Sequence, residues 1–429
     1  MNLPFALPSS NAPRHVDAAV VGRGAVGAAA ALGLSQAGLK VALIGPAHAP
    51  AVSGPAVPGA GAQSAPQSTH QFTDTAWDPR VFALSPASRA LLESLRLWDS
   101  LDASRMAPVY DMRVHAGASA TAPQLHLDAY RGQVPALAWI VENRNLQGTL
   151  DAALRFSPVQ SLDERVSGLE ITASGPAGRA RLSFESGTSL SARFVVAADG
   201  IDSSLRSLAG IEARLTDYQQ TALVANFECS LPHADTAWQW MDETLGVLAL
   251  LPLPAGDQPG RVSIVWSAPQ ALADELLALS PEALAERVSQ VTHAALGILT
   301  PMGPVRSFVL RGVRVPRLIS DRLVLVGDAA HAMHPLAGQG MNLGFGDVAE
   351  LLKVVRARES IRDWGDPLLW RRYERARRGA VDGLQDVIDG LHRLFGPVPA
   401  PLALVRDLGW RAVAASGWAR RQLVAQAVR

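Results

Sequence analysis

One cysteine, Cys229, stands in a chain of 429 residues. An intrachain disulfide is therefore excluded, and so sparse a use of thiols suits a reducing cytoplasm. Cys229 itself reads as a small core residue in a strand. Net charge is missing too: 39 basic residues balance 39 acidic ones, so no surplus of either sign points to nucleic acid. No apolar run approaches the roughly 18–20 residues that span a bilayer. The longest, Gly24 to Leu34, is soon broken by Ser35-Gln36. Residues 1–15 lack a basic start followed by an apolar core, so a frayed leader is expected there and not a signal peptide. Metal-ligand spacing is absent as well. His331 and His334 are three apart, but no Cys, Asp or Glu follows at ligand distance and Pro335 opposes a regular helix, so no metal is expected. Asp328 and His331 come with no nucleophile motif that would make them part of a hydrolytic triad. Internal repeats are not seen.

What is present is a series of three blocks in which a buried strand runs into a turn. In the first, Ala18 to Ile44 reads strand, glycine turn, helix, strand, and Gly22-Arg-Gly-Ala-Val-Gly27 fits G-x-G-x-x-G. Gly22 permits the tight turn, Gly24 lets a pyrophosphate approach the backbone, and Gly27 lets the helix pack on the strand. An acid is expected about twenty residues on to hold the adenosine ribose, but Gly45-Pro46 stands there. A weakened ribose grip is therefore expected, with Arg23 either meeting a phosphate or lying in solvent. The second block is Phe194 to Arg206, where a strand ends in Asp199-Gly200 and Ser203 or Ser204 can cap a helix.

The third block, Leu325 to Leu351, is the most informative. Its strand ends at Gly327-Asp328, and a glycine-rich loop opens a helix near Met341. A carboxylate at a strand's end and a turn of free N–H groups a dozen residues on suit a ligand with hydroxyls and an atom that becomes negative. A reduced flavin, held by its ribityl chain and its N1/C2=O edge, needs both.

In order, G-x-G-x-x-G, D-G-x-x-S-x-x-R and G-D-A-A-H-x-x-x-P-x-x-G-Q-G resemble the aromatic flavoprotein monooxygenases of the para-hydroxybenzoate hydroxylase fold. The likeness narrows. Asp78 to Leu92 is similar to the D-x-R-x-x-A-L-S segment of the ubiquinone-biosynthesis FAD-dependent hydroxylases, and Trp139 to Gln147 to their I-V-E-N-x-x-L-Q segment. Tyr218-Gln-Gln-Thr-Ala-Leu-Val-Ala, Leu251-Pro-Leu-Pro and Ser263 to Ser267 agree in kind and order, so the resemblance runs from about Asp17 to about Arg378.

The resemblance implies FAD as cofactor, NAD(P)H as transient reductant, O2, and hydroxylation of a polyprenyl-phenol ring through a flavin C4a-hydroperoxide. It places the diphosphate over Gly22, Gly24 and Gly27, the ribityl chain at Gly327 and Asp328, and the ring against Pro335, Gly338, Gly340, Met341 and Asn342. Backbone N–H groups of Gly340 and Met341 would stabilise negative charge on the ring, and the Pro335 carbonyl would face it, which makes these three the expected catalytic positions. Arg80, Gln147, Asp199 and Gly200 are the implied secondary cofactor contacts. Two alternatives stay open: a flavin monooxygenase of a soluble aromatic, and an FAD-binding scaffold subunit with weak turnover.

The three blocks are dispersed, so the expected fold is α/β, with a discontinuous Rossmann-like FAD-binding domain (14–80, 139–206, 305–380). A β-rich substrate domain (81–138, 207–304) and a helical C-terminal segment (381–429) complete it. Residues 46–76, rich in Pro, Ala, Gly and Ser, read as a flexible insertion. The tail from Pro401 carries five arginines against Asp407 among interspersed apolar residues. That pattern fits helices packed on the protein or on another subunit, or an amphipathic helix at an anionic membrane surface. Peripheral membrane association, a biosynthetic assembly and a homo-oligomer are accordingly the candidate associations.

Overall fold

The computed structural model describes residues 14–46, 77–117, 119, 123–172, 177–256, 259–335, 338–394 and 416. The expected insertion, apart from Pro46 itself, and the tail from Pro401, apart from Ser416, lie outside them.

Two large sheets and one small one organise the chain. In the first, the strands Leu323–Leu325, Ser189–Ala197, Arg14–Val21, Val41–Ile44 and Gln160–Leu162 lie side by side and parallel. All four residues of Val41–Ile44 are buried, because a parallel strand is covered on both faces. The helix Ala25–Gln36 covers one face, and its run of alanines and glycines makes the approach close. A Cβ on Gly33 would lie 2.4 Å from Leu352 Cδ1, so this helix packs directly on the helix Gly340–Arg356.

The second sheet has nine strands and is almost wholly antiparallel. Its spine is the 16-residue strand Arg214–Cys229, which pairs on one side with Gly260–Pro269 and on the other with Arg306–Arg314. One face is closed by the helices Gln270–Leu277 and Pro281–Val291 over a core that contains Phe227, Cys229, Trp240 and Trp266. The other face turns towards the small sheet of Val81–Leu84, Ala138–Glu142 and Met106–Val109.

The seams between the regions differ from those expected. Strand Arg306–Arg314, expected with the cofactor domain, belongs to the nine-stranded sheet. Leu91, Leu92 and Trp98, expected with the substrate domain, are buried in the same cluster as the parallel sheet. The reason is topological: the chain crosses between the sheets several times, and periodicity within a segment does not say which sheet the segment joins. The helix Pro367–Leu394 runs without a break through residue 381, where a new segment was expected. Among the described residues no helix is long and apolar enough to cross a membrane.

Candidate active site

The parallel sheet brings the three motif blocks to one edge. Val21, Ala197 and Leu325 are the last residues of adjacent parallel strands, and each is followed by its motif turn. Gly22 is at φ +112, and a Cβ there would sit 2.0 Å from the Ala198 carbonyl oxygen, so only glycine lets the first turn lie against the second. A Cβ on Gly27 would meet the Gly22 oxygen at 1.9 Å. Val26 in turn packs against the third turn, 3.2 Å from a Cβ built on Gly327.

The positions that should approach a ligand are open. A Cβ on Gly24 or on Gly340 would meet nothing within 4 Å. Both head helices that no side chain caps, whereas Ser85, Ser203 and Ser280 cap theirs. A glycine-headed helix with uncovered first-turn N–H groups is an anion-binding arrangement. The two such ends fit the two negative parts of FAD, its diphosphate and its reduced ring.

Asp328 lies between them, on the 3-10 turn Gly327–Ala329. Its side chain is exposed, yet its carboxyl is held above the usual range by the surrounding protein, with His331 and Arg80 pulling the other way. An accessible but crowded carboxylate is what the floor of a concave cleft provides, and it suits a partner with hydroxyl donors.

Beneath this floor is a buried ionic cluster that sequence reasoning missed. Asp347, fully buried on the helix Gly340–Arg356, accepts from the Gly327 amide at 2.8 Å, from His331 Nε2 at 2.7 Å and from Arg377 Nε at 2.7 Å. Burial alone would raise its carboxyl, but His331 and Arg377 outweigh burial and hold it below the usual range. Arg377 also donates to the Leu343 carbonyl. Asp347, four residues from both Leu343 and Leu351 in a helical pattern, was the available signal, since an unpaired buried carboxylate would not persist. Nothing in the sequence marked Arg377 as its partner.

The expected secondary contacts are brought to the same region with different degrees of freedom. Gln147 Nε2 donates to the Arg23 carbonyl at 3.2 Å, which puts it on the first glycine turn. Asp199 is occupied within its own turn, accepting from Ser203 Oγ, Ser204 Oγ and the Leu205 amide. Gly200, at φ +84, forms that turn, and Arg206 clasps it to the third block by donating to the Ala329 carbonyl. Asn342 is wholly engaged. Its oxygen accepts from the Ser85 amide and Ser88 Oγ, and its nitrogen donates to the Ala83 carbonyl and Gln339 Oε1. That side chain pins the start of the helix Gly340–Arg356 to the 83–88 segment. Gly338 donates to the Pro335 carbonyl at 3.0 Å.

Arg80 is set by a braced segment. Its amide donates to Asp78 Oδ1, whose other oxygen accepts from Asn143 Nδ2, while Glu142 Oε1 accepts from the Asp78 amide. Its guanidinium lies 5.1 Å and 5.5 Å from the centres of the Phe82 and Phe308 rings. His331 and His334 face different partners, Asp347 and Gln220. An open depression of about 560 Å3, lined by Tyr110, His126 and Tyr130, lies at the opposite edge of the nine-stranded sheet and takes no part in this cleft.

Fold and cleft together define a flavoprotein of the two-sheet monooxygenase type. The match to known proteins agrees. Residues 70–387 fit the model of the FAD binding domain family. Ubiquinone hydroxylase UbiL of Rhodospirillum rubrum is 33% identical, with 98% of this chain and 91% of that protein covered. The 3-demethoxyubiquinol 3-hydroxylase of Escherichia coli is 32% identical, covering 98% and 99%. The crystal structure of p-nitrophenol 4-monooxygenase PnpA from Pseudomonas putida superposes with a TM-score of 0.70 over 97% of this chain and 99% of that one, at 16% identity, a likeness of fold. The chain belongs to the FAD-dependent monooxygenases of the FAD binding domain family. It is an oxidoreductase with FAD as cofactor and NAD(P)H as reductant.

Proposed function

We propose that the chain hydroxylates the ring of a polyprenylated phenol on the way to ubiquinone. The observation that carries this reading is the 32–33% identity to two ubiquinone hydroxylases along nearly the whole chain, together with the convergence of three motif turns on one cleft. FAD, when bound, supplies the electron transfer and the activation of O2. This chain's residues supply the rest. The Gly22–Gly27 turn and its helix end receive the diphosphate, with Gln147 and the Asp199-Gly200 turn packed beside it. Asp328 accepts from ribityl hydroxyls, and Arg80 balances charge near it. The amides of Gly340 and Met341 hold negative charge at the ring's N1/C2=O edge, where preorganised donors act most strongly. Pro335 and Gly338 form the wall along the ring, and the face of the nine-stranded sheet beyond it takes the phenol.

Visible absorption of the purified protein, before and after adding FAD, is the first test. Flavin bands license an assay of NAD(P)H oxidation with polyprenyl phenols and, separately, with hydroxybenzoates. A hydroxylated product from the first set alone is expected. Product from hydroxybenzoates alone overturns the substrate assignment, and reductant oxidation without any organic product overturns the hydroxylase reading.

A further inference from the structure

The segment Tyr218-Gln219-Gln220 sits where the spine strand of the nine-stranded sheet breaks its regular pairing. The register with Arg306–Arg314 shifts between Asp217 and Thr221, and Gln219 takes a left-handed φ of +52. A bulge of this kind redirects side chains, and here both flanking residues reach His334. The Tyr218 hydroxyl accepts from the His334 amide at 3.2 Å, and its ring stands edge-on to the imidazole at 5.1 Å. Gln220 Oε1 lies 2.6 Å from His334 Nε2, so the imidazole carries its proton there. His334 is 1% exposed and immediately precedes Pro335. Space for Tyr218 is provided by Gly312, where a Cβ would come within 3.0 Å of the hydroxyl. On the far side, the same hydroxyl donates to Asp389 Oδ1 on the helix Pro367–Leu394. Farther along the same strand, Asn226 Nδ2 donates to the Asp78 carbonyl and so holds the Arg80 segment. One strand therefore grips the cleft at two points, its Pro335 wall and its Arg80 segment.

We infer that Tyr218 and Gln220 are positioning residues that fix the His334-Pro335 wall from the substrate sheet, and that they govern how oxygen is delivered and not how tightly FAD is held. The inference rests on the hydroxylase reading above. In the coupled reaction NAD(P)H, a proton, O2 and the phenol substrate give NAD(P)+, the same ring with one more hydroxyl in place of a ring hydrogen, and water. In the uncoupled one NAD(P)H, a proton and O2 give NAD(P)+ and hydrogen peroxide. A wall that shifts by about an ångström costs productive geometry, and the lost product then appears as peroxide.

The test uses the full-length holoenzyme with Tyr218→Phe, Gln220→Ala and Gln220→Glu. Tyr218→Phe keeps the ring and removes the hydroxyl, whereas Gln220→Glu keeps an acceptor for Nε2. Product formed per NAD(P)H consumed, peroxide released, FAD dissociation constant and hydrogen exchange of the His334 amide are read for each. Tyr218→Phe and Gln220→Ala are expected to lower product per NAD(P)H at least about threefold, with peroxide making up the difference. FAD affinity stays within about twofold, Gln220→Glu recovers most of the coupling, and the His334 amide exchanges at least about tenfold faster in Tyr218→Phe. Unchanged coupling in both disruptive variants overturns the inference, as does FAD loss in proportion to lost coupling. If the wild type consumes NAD(P)H without product, the hydroxylase reading fails, and the amide exchange alone decides whether the bulge holds the wall: an unchanged rate in Tyr218→Phe overturns it.

Discussion

The two ends of the cleft are built by different means. At the diphosphate end the turn is shaped by backbone packing: Gly22 lies against Ala198, Gly27 against Gly22, and the Gly22 amide donates to the Ile44 carbonyl at 2.8 Å. At the ring end the turn is held by side chains from distant segments. Asp347 and Arg377 brace it from below, Arg206 and Asn342 from the sides, and Tyr373 donates to the Leu325 carbonyl at the strand's end. On the proposed placement of FAD, the difference follows from what each end would receive. A diphosphate carries its charge permanently, and glycine amides at a helix end are enough for it. A flavin ring changes its charge during turnover, and donors for such charge act best when they do not move. The ring end should therefore be the more sensitive to loss of a buried polar side chain.

Asp347→Asn tests that difference most severely. It removes the charge that His331 and Arg377 compensate, and breaking a buried pair from one side costs about 3–5 kcal/mol. A fall of that order in unfolding free energy is expected in urea titrations. Because the Asp347 carboxyl is held below its ordinary value, its contribution is present above the unfolded value of 3.8 and lost as pH falls through the lower folded one. The gap between wild type and variant should thus narrow in acid. A gap independent of pH would mean that the cluster acts by packing alone. Asn342→Ala comes next. It leaves the Ser85 amide and the Ala83 carbonyl without their partner, at about 1–3 kcal/mol for a buried group left unsatisfied, and thermal unfolding of the apoprotein reads it.

Asp328→Asn separates stability from binding. Crowding holds this carboxyl above its ordinary value, so its charge opposes folding at neutral pH, and the opposition disappears as pH falls below 3.8. The variant's apoprotein should melt higher at pH 7 and show no such gain in acid. Its FAD affinity should drop about ten- to a hundredfold, as expected for losing a charge-assisted hydrogen bond of ~1.5–3 kcal/mol. Equal FAD affinity in the two proteins would remove Asp328 from the ribityl contact.

What could be read from the sequence follows the same division. Gly22 and Gly27 and the strand ends before Asp199 and Asp328 were legible because close backbone packing demands glycine and a strand stop at fixed spacing, and Gly24 and Gly340 because glycine leaves a helix end open. The clamps were not. Asn342 reaches Ser85 across 257 positions and Arg377 reaches Asp347 across 30, so neither pairing leaves a local pattern. The motif segments Val141-Glu-Asn143 and Tyr218-Gln-Gln220 were visible as resemblance, but their work, bracing Asp78 and His334, depends on which strands become neighbours. The same blindness to sheet partners misplaced Arg306–Arg314.

The smallest expected effect belongs to Gly45, whose lack of a carboxylate suggested a weak grip on the adenosine ribose. Its surroundings point to a different balance. Gly45 is at φ +149, and a Cβ there would come within 3.2 Å of Arg23 Cγ, so the arginine's stem lies over the place where an acidic side chain would start. Gly45→Asp therefore adds the expected carboxylate at a backbone conformation that costs a non-glycine residue about 1–3 kcal/mol, and it displaces Arg23. FAD affinity is expected to change by no more than about threefold, while the melting temperature falls. Arg23→Ala, which clears the space but adds no acceptor, should weaken binding by a similar small factor if the guanidinium meets the cofactor. A clear tightening in Gly45→Asp would show that the diphosphate end lacks a side-chain ligand after all, and that backbone shape alone does not account for its hold on FAD.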